Sequence, residues 1–162
     1  MKYLWTGLIF TGALIVPGTL FHDLSPWGIR PDLIMLWTIY LSLYSQPNIA
    51  LTGAFVMGFL TDLYIGSAIG RYTLTLCIVA LICIRLQKGW DRDRMPLVVM
   101  LVLAVTLTGQ AAMALLGGLA GFGQPLAETA VIIGGVAVYN ALLVLPTFAP
   151  AHRFLSGNLS EK

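Results

Sequence analysis

The sequence predicts an all-α integral membrane protein, a single transmembrane domain of six transmembrane helices. Three observations carry that prediction. Of the 162 residues, 58% are hydrophobic and only 10% charged, and the mean hydropathy is +0.87, more apolar surface than one soluble core requires. Thirty-three consecutive uncharged residues separate Arg94 from Glu128, and twenty-three more run from Thr129 to Ala151; each run exceeds the roughly 20 residues that a helix needs to cross hydrocarbon. No sizeable polar segment interrupts the apolar ones, so no soluble domain is expected.

The first apolar segment is 4–21. Lys2 ahead of it gives MKYLWTGLIFTGALIVPGTLF the outline of a secretory signal, but no A-x-A-like cleavage site follows and further apolar segments come at once, so a retained first helix is expected. Asp32 and Asp62 then enclose 29 uncharged residues with SQPN, a turn signal, in the middle. Proline removes a backbone donor and disfavours helix just before it, which predicts two short helices, 33–45 and 49–61. A fourth, 72–84, lies between Arg71 and Arg85. Each of these three is about 13 residues, near 20 Å as helix against roughly 30 Å of hydrocarbon. They must extend into their flanks, thin the bilayer or be shielded by neighbours. The fifth and sixth, 96–116 and 126–148, are joined by the glycine-rich Gly117–Pro125, which has no Lys or Ser/Thr after its glycines and is a turn, not a phosphate loop.

Orientation follows the placement of Lys and Arg. Six spans with an inner amino terminus put Lys2, Arg85, Lys88, Arg92, Arg94, Arg153 and Lys162 in the cytoplasm, against Arg30 and Arg71 outside. A five-span arrangement, with 32–62 as one tilted helix, scores the same seven to two, since Lys2 and Arg30 exchange sides. Both share a cytoplasmic tail and a cytoplasmic loop QKGWDRDR at 87–94, read as a topology determinant that could also meet headgroups or a partner. The net charge of +2 is scattered and no basic-aromatic stripe occurs, which excludes a nucleic-acid surface.

Little in the chain suggests chemistry. His22 and His152 fall at the ends of the first and last segments without companions at ligand or triad spacing. Cys77 and Cys83, six residues apart, lie about 240° apart around a helix and neither pair nor share a metal. Of Trp5, Trp27, Trp37 and Trp90, three lie near expected interfaces, as belt anchors do. No enzyme, metal or cofactor is expected.

Two groups of residues stand out. Ala50, Ala54 and Gly58 recur at every fourth position and Asp62 continues the series, giving a ridge of small side chains that ends in a carboxylate. Gly66 and Gly70 keep the spacing. Small residues let helix backbones approach closely in lipid, so the ridge is a packing face for a partner's helix or for another helix of this chain. Asp62 is costly in hydrocarbon, by about 2.5 to 3.5 kcal/mol at a helix centre. An outer polar cluster of Arg30, Asp32, Asp62 and Arg71 is therefore expected, with Asp62 paired to one of the arginines; simple solvation at the interface is the alternative. A proton or ion relay is disfavoured, because the other acid near a span, Glu128, suits the start of its own helix.

Three stretches, IRPDLIMLWTIYL (Ile29–Leu41), GAFVMGFLTDLYIGSAIG (Gly53–Gly70) and LLVLPTF (Leu142–Phe148), occur in an order and spacing that resembles the rod shape-determining protein MreD family. Ala54 stands where that pattern often has glycine. The resemblance implies a six-helix inner-membrane fold similar to the substrate-binding subunits of energy-coupling-factor vitamin transporters, and so favours six spans over five. It further implies a non-catalytic scaffold of the cell-wall elongation machinery that binds MreC, with MreB, RodA and a class B penicillin-binding protein in the wider complex and membrane lipid around it. On that footing the ridge and the outer cluster would form the surface on which MreC docks. The competing expectation is a vitamin-binding transporter subunit, for which the outer segments offer few polar donors.

Overall fold

The computed structural model describes residues 29–66, 70–86, 94–121 and 125–159, the last with side chains described for 125 and 127–147. The expected first helix at 4–21, with Trp5, lies outside the described residues, as do His22, Trp27, Trp90, loop residues 87–93 and the side chain of His152. The described residues form five α-helices: α1 (Leu33–Tyr44), α2 (Pro47–Ile65), α3 (Arg71–Leu86), α4 (Met95–Leu119) and α5 (Leu126–Leu159).

Local chemistry sets the first boundaries. The Asp32 carboxylate accepts the Met35 N–H at 2.9 Å and so caps the start of α1. At the other end the Ser45 N–H closes on the Leu41 carbonyl, and Pro47 opens α2 at a position whose N–H would have no helical partner. Residues 32–62 are thus two helices broken at Ser45–Gln46, and a single tilted helix is ruled out. The expected end of the second of them, residue 61, is too early: α2 continues through Asp62 to Ile65 and stops at Gly66 in the left-handed conformation, φ 68°. A carboxylate ends a helix in lipid only when it lacks partners, and Asp62 has them.

Three helical stretches are long and apolar enough to cross a membrane: Pro47–Ile65, Met95–Leu119 and Ala127–Thr147. α1, at 12 residues, is about 18 Å long. It is shielded instead, since it packs against all four other helices and ten of its residues are buried. Its sequence is apolar nearly all round, as a central helix requires. Met35, Ile39, Leu76, Val79, Val102 and Val144 fill the space around it with no more than 1% exposure. The last helix runs eleven residues beyond the expected 148, through Pro150; proline is tolerated in membrane helices because neighbours can satisfy the freed carbonyls.

Polar side chains inside this bundle are almost all satisfied. Thr38, Ser42, Thr61 and Thr75 each donate to the carbonyl four residues earlier on their own helix. The Tyr40 and Thr147 hydroxyls bond at 3.0 Å. The start of α1 is tied most firmly. The Asp32 N–H donates to Asn140 Oδ1 at 3.0 Å, Asn140 Nδ2 donates back to the Asp32 carbonyl at 3.3 Å, and Gln110 Nε2 donates to Asp32 Oδ2 at 3.1 Å. One residue thereby joins α1 to α4 and α5. Asn140 is wholly buried, so Asn140→Leu is expected to strand the Asp32 N–H and cost about 1–3 kcal/mol. A clear fall in unfolding temperature in detergent is the expected readout; an unchanged one would remove this node from the account of stability.

Candidate functional site

Asp62, Gly66, Gly70 and Arg71, of the residues singled out from the sequence, lie where α2 turns into α3. A helix start leaves several N–H groups without helical acceptors, and water cannot reach them in a bilayer. Here Asp62 supplies the acceptor from the preceding helix. Its Oδ2 accepts the Gly70 N–H at 2.9 Å, the Thr73 N–H at 3.0 Å and the Thr73 hydroxyl at 2.6 Å; Oδ1 accepts the Tyr72 N–H at 2.9 Å. The carboxylate also sits on the positive end of the α3 dipole. Asp62 is 2% exposed and Thr73 7%, so solvation at the interface is excluded along with an ion pair.

The expected arginine partner is therefore corrected. Four donors reach the carboxylate, three on Oδ2 and one on Oδ1, and neither arginine is among them. Arg30 is exposed. Arg71, the first residue of α3, lays its guanidinium over Gly117 near the end of α4, where an added Cβ would lie 3.4 Å from Arg71 Cζ. Asp32 is engaged with Met35, Gln110 and Asn140. Gln110 lies nine residues, roughly 14 Å of helix, before the end of α4, which places the Asp32 node away from that end of the helix. Tyr72 is close enough to feel Asp32, Asp62 and Arg71 together. The four residues form two separate hydrogen-bonded nodes and two cations that pair with neither acid.

The ridge is buried within the chain. Ala50 and Ala54 have no exposed surface, and Gly58 is buried too. A Cβ on Gly58 would stand 2.5 Å from Thr73 Cα and 2.8 Å from its nitrogen, which means that α2 and α3 touch backbone to backbone at this point. Such contact brings Asp62 within reach of the α3 N–H groups one turn away. Gly66 and Gly70 serve differently. Both have positive φ, 68° and 98°, with open space around them, so they make the turn and pack against nothing. Ala50, Ala54 and Gly58 are thus buried within this chain, with α3 lying against Gly58.

Sequence reasoning missed Thr73, Gln110 and Asn140. The latter two carried a signal, being lone amides in long apolar spans. Among the described residues no three His, Cys, Asp or Glu side chains converge as a metal site. Cys77 is half-buried and Cys83 buried, both as free thiols.

The interlock separates two variants cleanly. Asp62→Asn replaces one acceptor oxygen with an NH2 group that faces an N–H, an expected loss of about 1–3 kcal/mol, whereas Arg71→Gln removes no partner of Asp62 and should stay within about 0.5 kcal/mol. Thermal unfolding of the two purified variants checks this. Equal losses would restore the ion pair.

No curated protein and no solved structure matches the chain. The sequence model of one family, described as rod shape-determining protein MreD, matches residues 2–149, most of the chain's length. The chain belongs to the rod shape-determining protein MreD family.

Proposed function

We propose that this protein is a non-catalytic scaffold of the bacterial cell-wall elongation machinery, a multi-pass protein of the cytoplasmic membrane with both termini inside, and that it binds MreC directly. MreB, RodA and a class B penicillin-binding protein complete the wider assembly. Family membership gives the coarse role, determination of rod shape. The observation that supports a scaffold is the use of the buried polar groups. Asp32, Asp62, Gln110 and Asn140 all hold helix to helix, which leaves none of them for chemistry.

With the small-residue ridge covered, the contact with MreC falls on an exposed face. The outward side of α2 is the richest such face among the described residues: Leu51, Phe55, Phe59 and Leu63 are all more than a third exposed, and Phe55 and Phe59 stack with centroids 6.3 Å apart. A flat aromatic ledge of this kind suits van der Waals packing by a single membrane helix, the main source of affinity in lipid.

Purification from native membranes in mild detergent, with identification of what accompanies the protein, tests the reading. MreC is expected in near-equal amount. The double variant Phe55→Ala/Phe59→Ala should lower MreC recovery at an unchanged level of this protein, while Gly58→Leu should lower the level of the protein itself. Recovery of a transporter's coupling subunit with a bound vitamin, and no MreC, would move the function to uptake.

A further inference from the structure

A cavity of about 640 Å³ opens between α4 and α5 at the end of the bundle where α3 begins. Gln110, Leu115, Gly118, Leu119 and Ile132 line it with Arg71. Its volume is in the range of ligand pockets, roughly 300–1,000 Å³, and its character is divided. Leu115, Leu119 and Ile132 are exposed at 66%, 78% and 37%, so the rim is apolar and faces the bilayer. Arg71 is the one charged residue among the described lining residues.

Among the described residues the arginine finds no acceptor. Its Nε is buried and has no hydrogen-bond acceptor. Neither nearby acid among the described residues bonds it: the Asp62 carboxylate accepts from Gly70, Tyr72 and Thr73, and the Asp32 carboxylate from Met35 and Gln110. Glu128 is exposed and does not line the cavity. A guanidinium cannot shed its charge, and a buried N–H without an acceptor at membrane depth is costly. Its planar fork matches a phosphate in both geometry and sign.

We propose that this cavity binds an anionic membrane lipid, with the phosphate on the Arg71 guanidinium and an acyl chain lying over Leu115, Leu119 and Ile132. The apolar rim selects a lipid over a soluble phosphate, because the route into the cavity lies along the exposed face of α4 and α5. This site is independent of the scaffold reading and of how MreC binds.

The full-length protein in detergent, supplied with phosphatidylglycerol or phosphatidylcholine and examined by native mass spectrometry, provides the test. Wild type should retain phosphatidylglycerol in preference to phosphatidylcholine. Arg71→Gln should lower that retention roughly tenfold, the scale of one charge-assisted hydrogen bond, with its unfolding temperature in phosphatidylcholine unchanged. Arg71→Lys should keep much of it. Gly118→Leu guards against misfolding as an explanation: a side chain there enters open space, so the fold is kept while the cavity fills and both lipids are lost. Equal retention by wild type and Arg71→Gln would overturn the proposal. So would equal retention of the two lipids by wild type, displacement of phosphatidylglycerol by inorganic phosphate alone, or a non-lipid molecule occupying the cavity.

Discussion

A helix that begins inside a bilayer must find acceptors for its first N–H groups within the protein, since no water is at hand. In this bundle the need arises twice, at the start of α1 and at the start of α3, and a carboxylate meets it each time. Asp32 caps its own helix and spends its remaining oxygen and backbone on α4 and α5. Asp62 caps the next helix from across a turn, with four donors on two oxygens. The energetic logic is the same in both. A charge that would be costly alone becomes the cheapest acceptor available to a cluster of stranded donors.

The second cap depends on distance, and distance here depends on a missing side chain. Gly58 lets the α2 backbone lie against Thr73, which sets the α3 N–H groups within about 3 Å of a carboxylate one turn further on. Ala50 and Ala54, two turns and one turn earlier on α2, are buried with no exposed surface. Gly66 and Gly70 then reverse the chain in a conformation that other residues adopt only with strain. The ridge, the carboxylate and the turn are one device. Altering any of its parts moves the others.

Much of this was legible in the sequence, and the missing parts have a common cause. The break at Ser45–Gln46 was visible because proline acts on its own backbone and needs no partner to do so. The ridge was visible because a period of four is a property of one helix. What covers the ridge was not, since Thr73 and Gly58 meet across a turn and carry no shared pattern. The partner of Asp62 was misread for a related reason. Charged partners can be counted in a sequence, but backbone N–H groups belong to every residue and announce nothing. The end of α2 went wrong with it, because an acid with unknown partners reads as the edge of the membrane. Asn140 and Gln110 were conspicuous as amides in apolar spans, yet only the packing of α1 against α4 and α5 gives them a common target in Asp32.

The covered ridge changes what a partner can use. In lipid, a helix gains nothing by burying leucine against leucine, so association relies on close packing and on the few polar groups left unmatched. This chain has committed Ala50, Ala54, Gly58 and both of these carboxylates to its own internal contacts. Outside it presents broad apolar faces, and at one end the Arg71 guanidinium borders a cavity with its buried Nε unbonded. The polar contacts that hold its helices together are thus separate from the apolar surface it presents. On the scaffold reading proposed above, that division suits the role, because the contacts that keep the chain folded are not the contacts that would have to form and part as an assembly works.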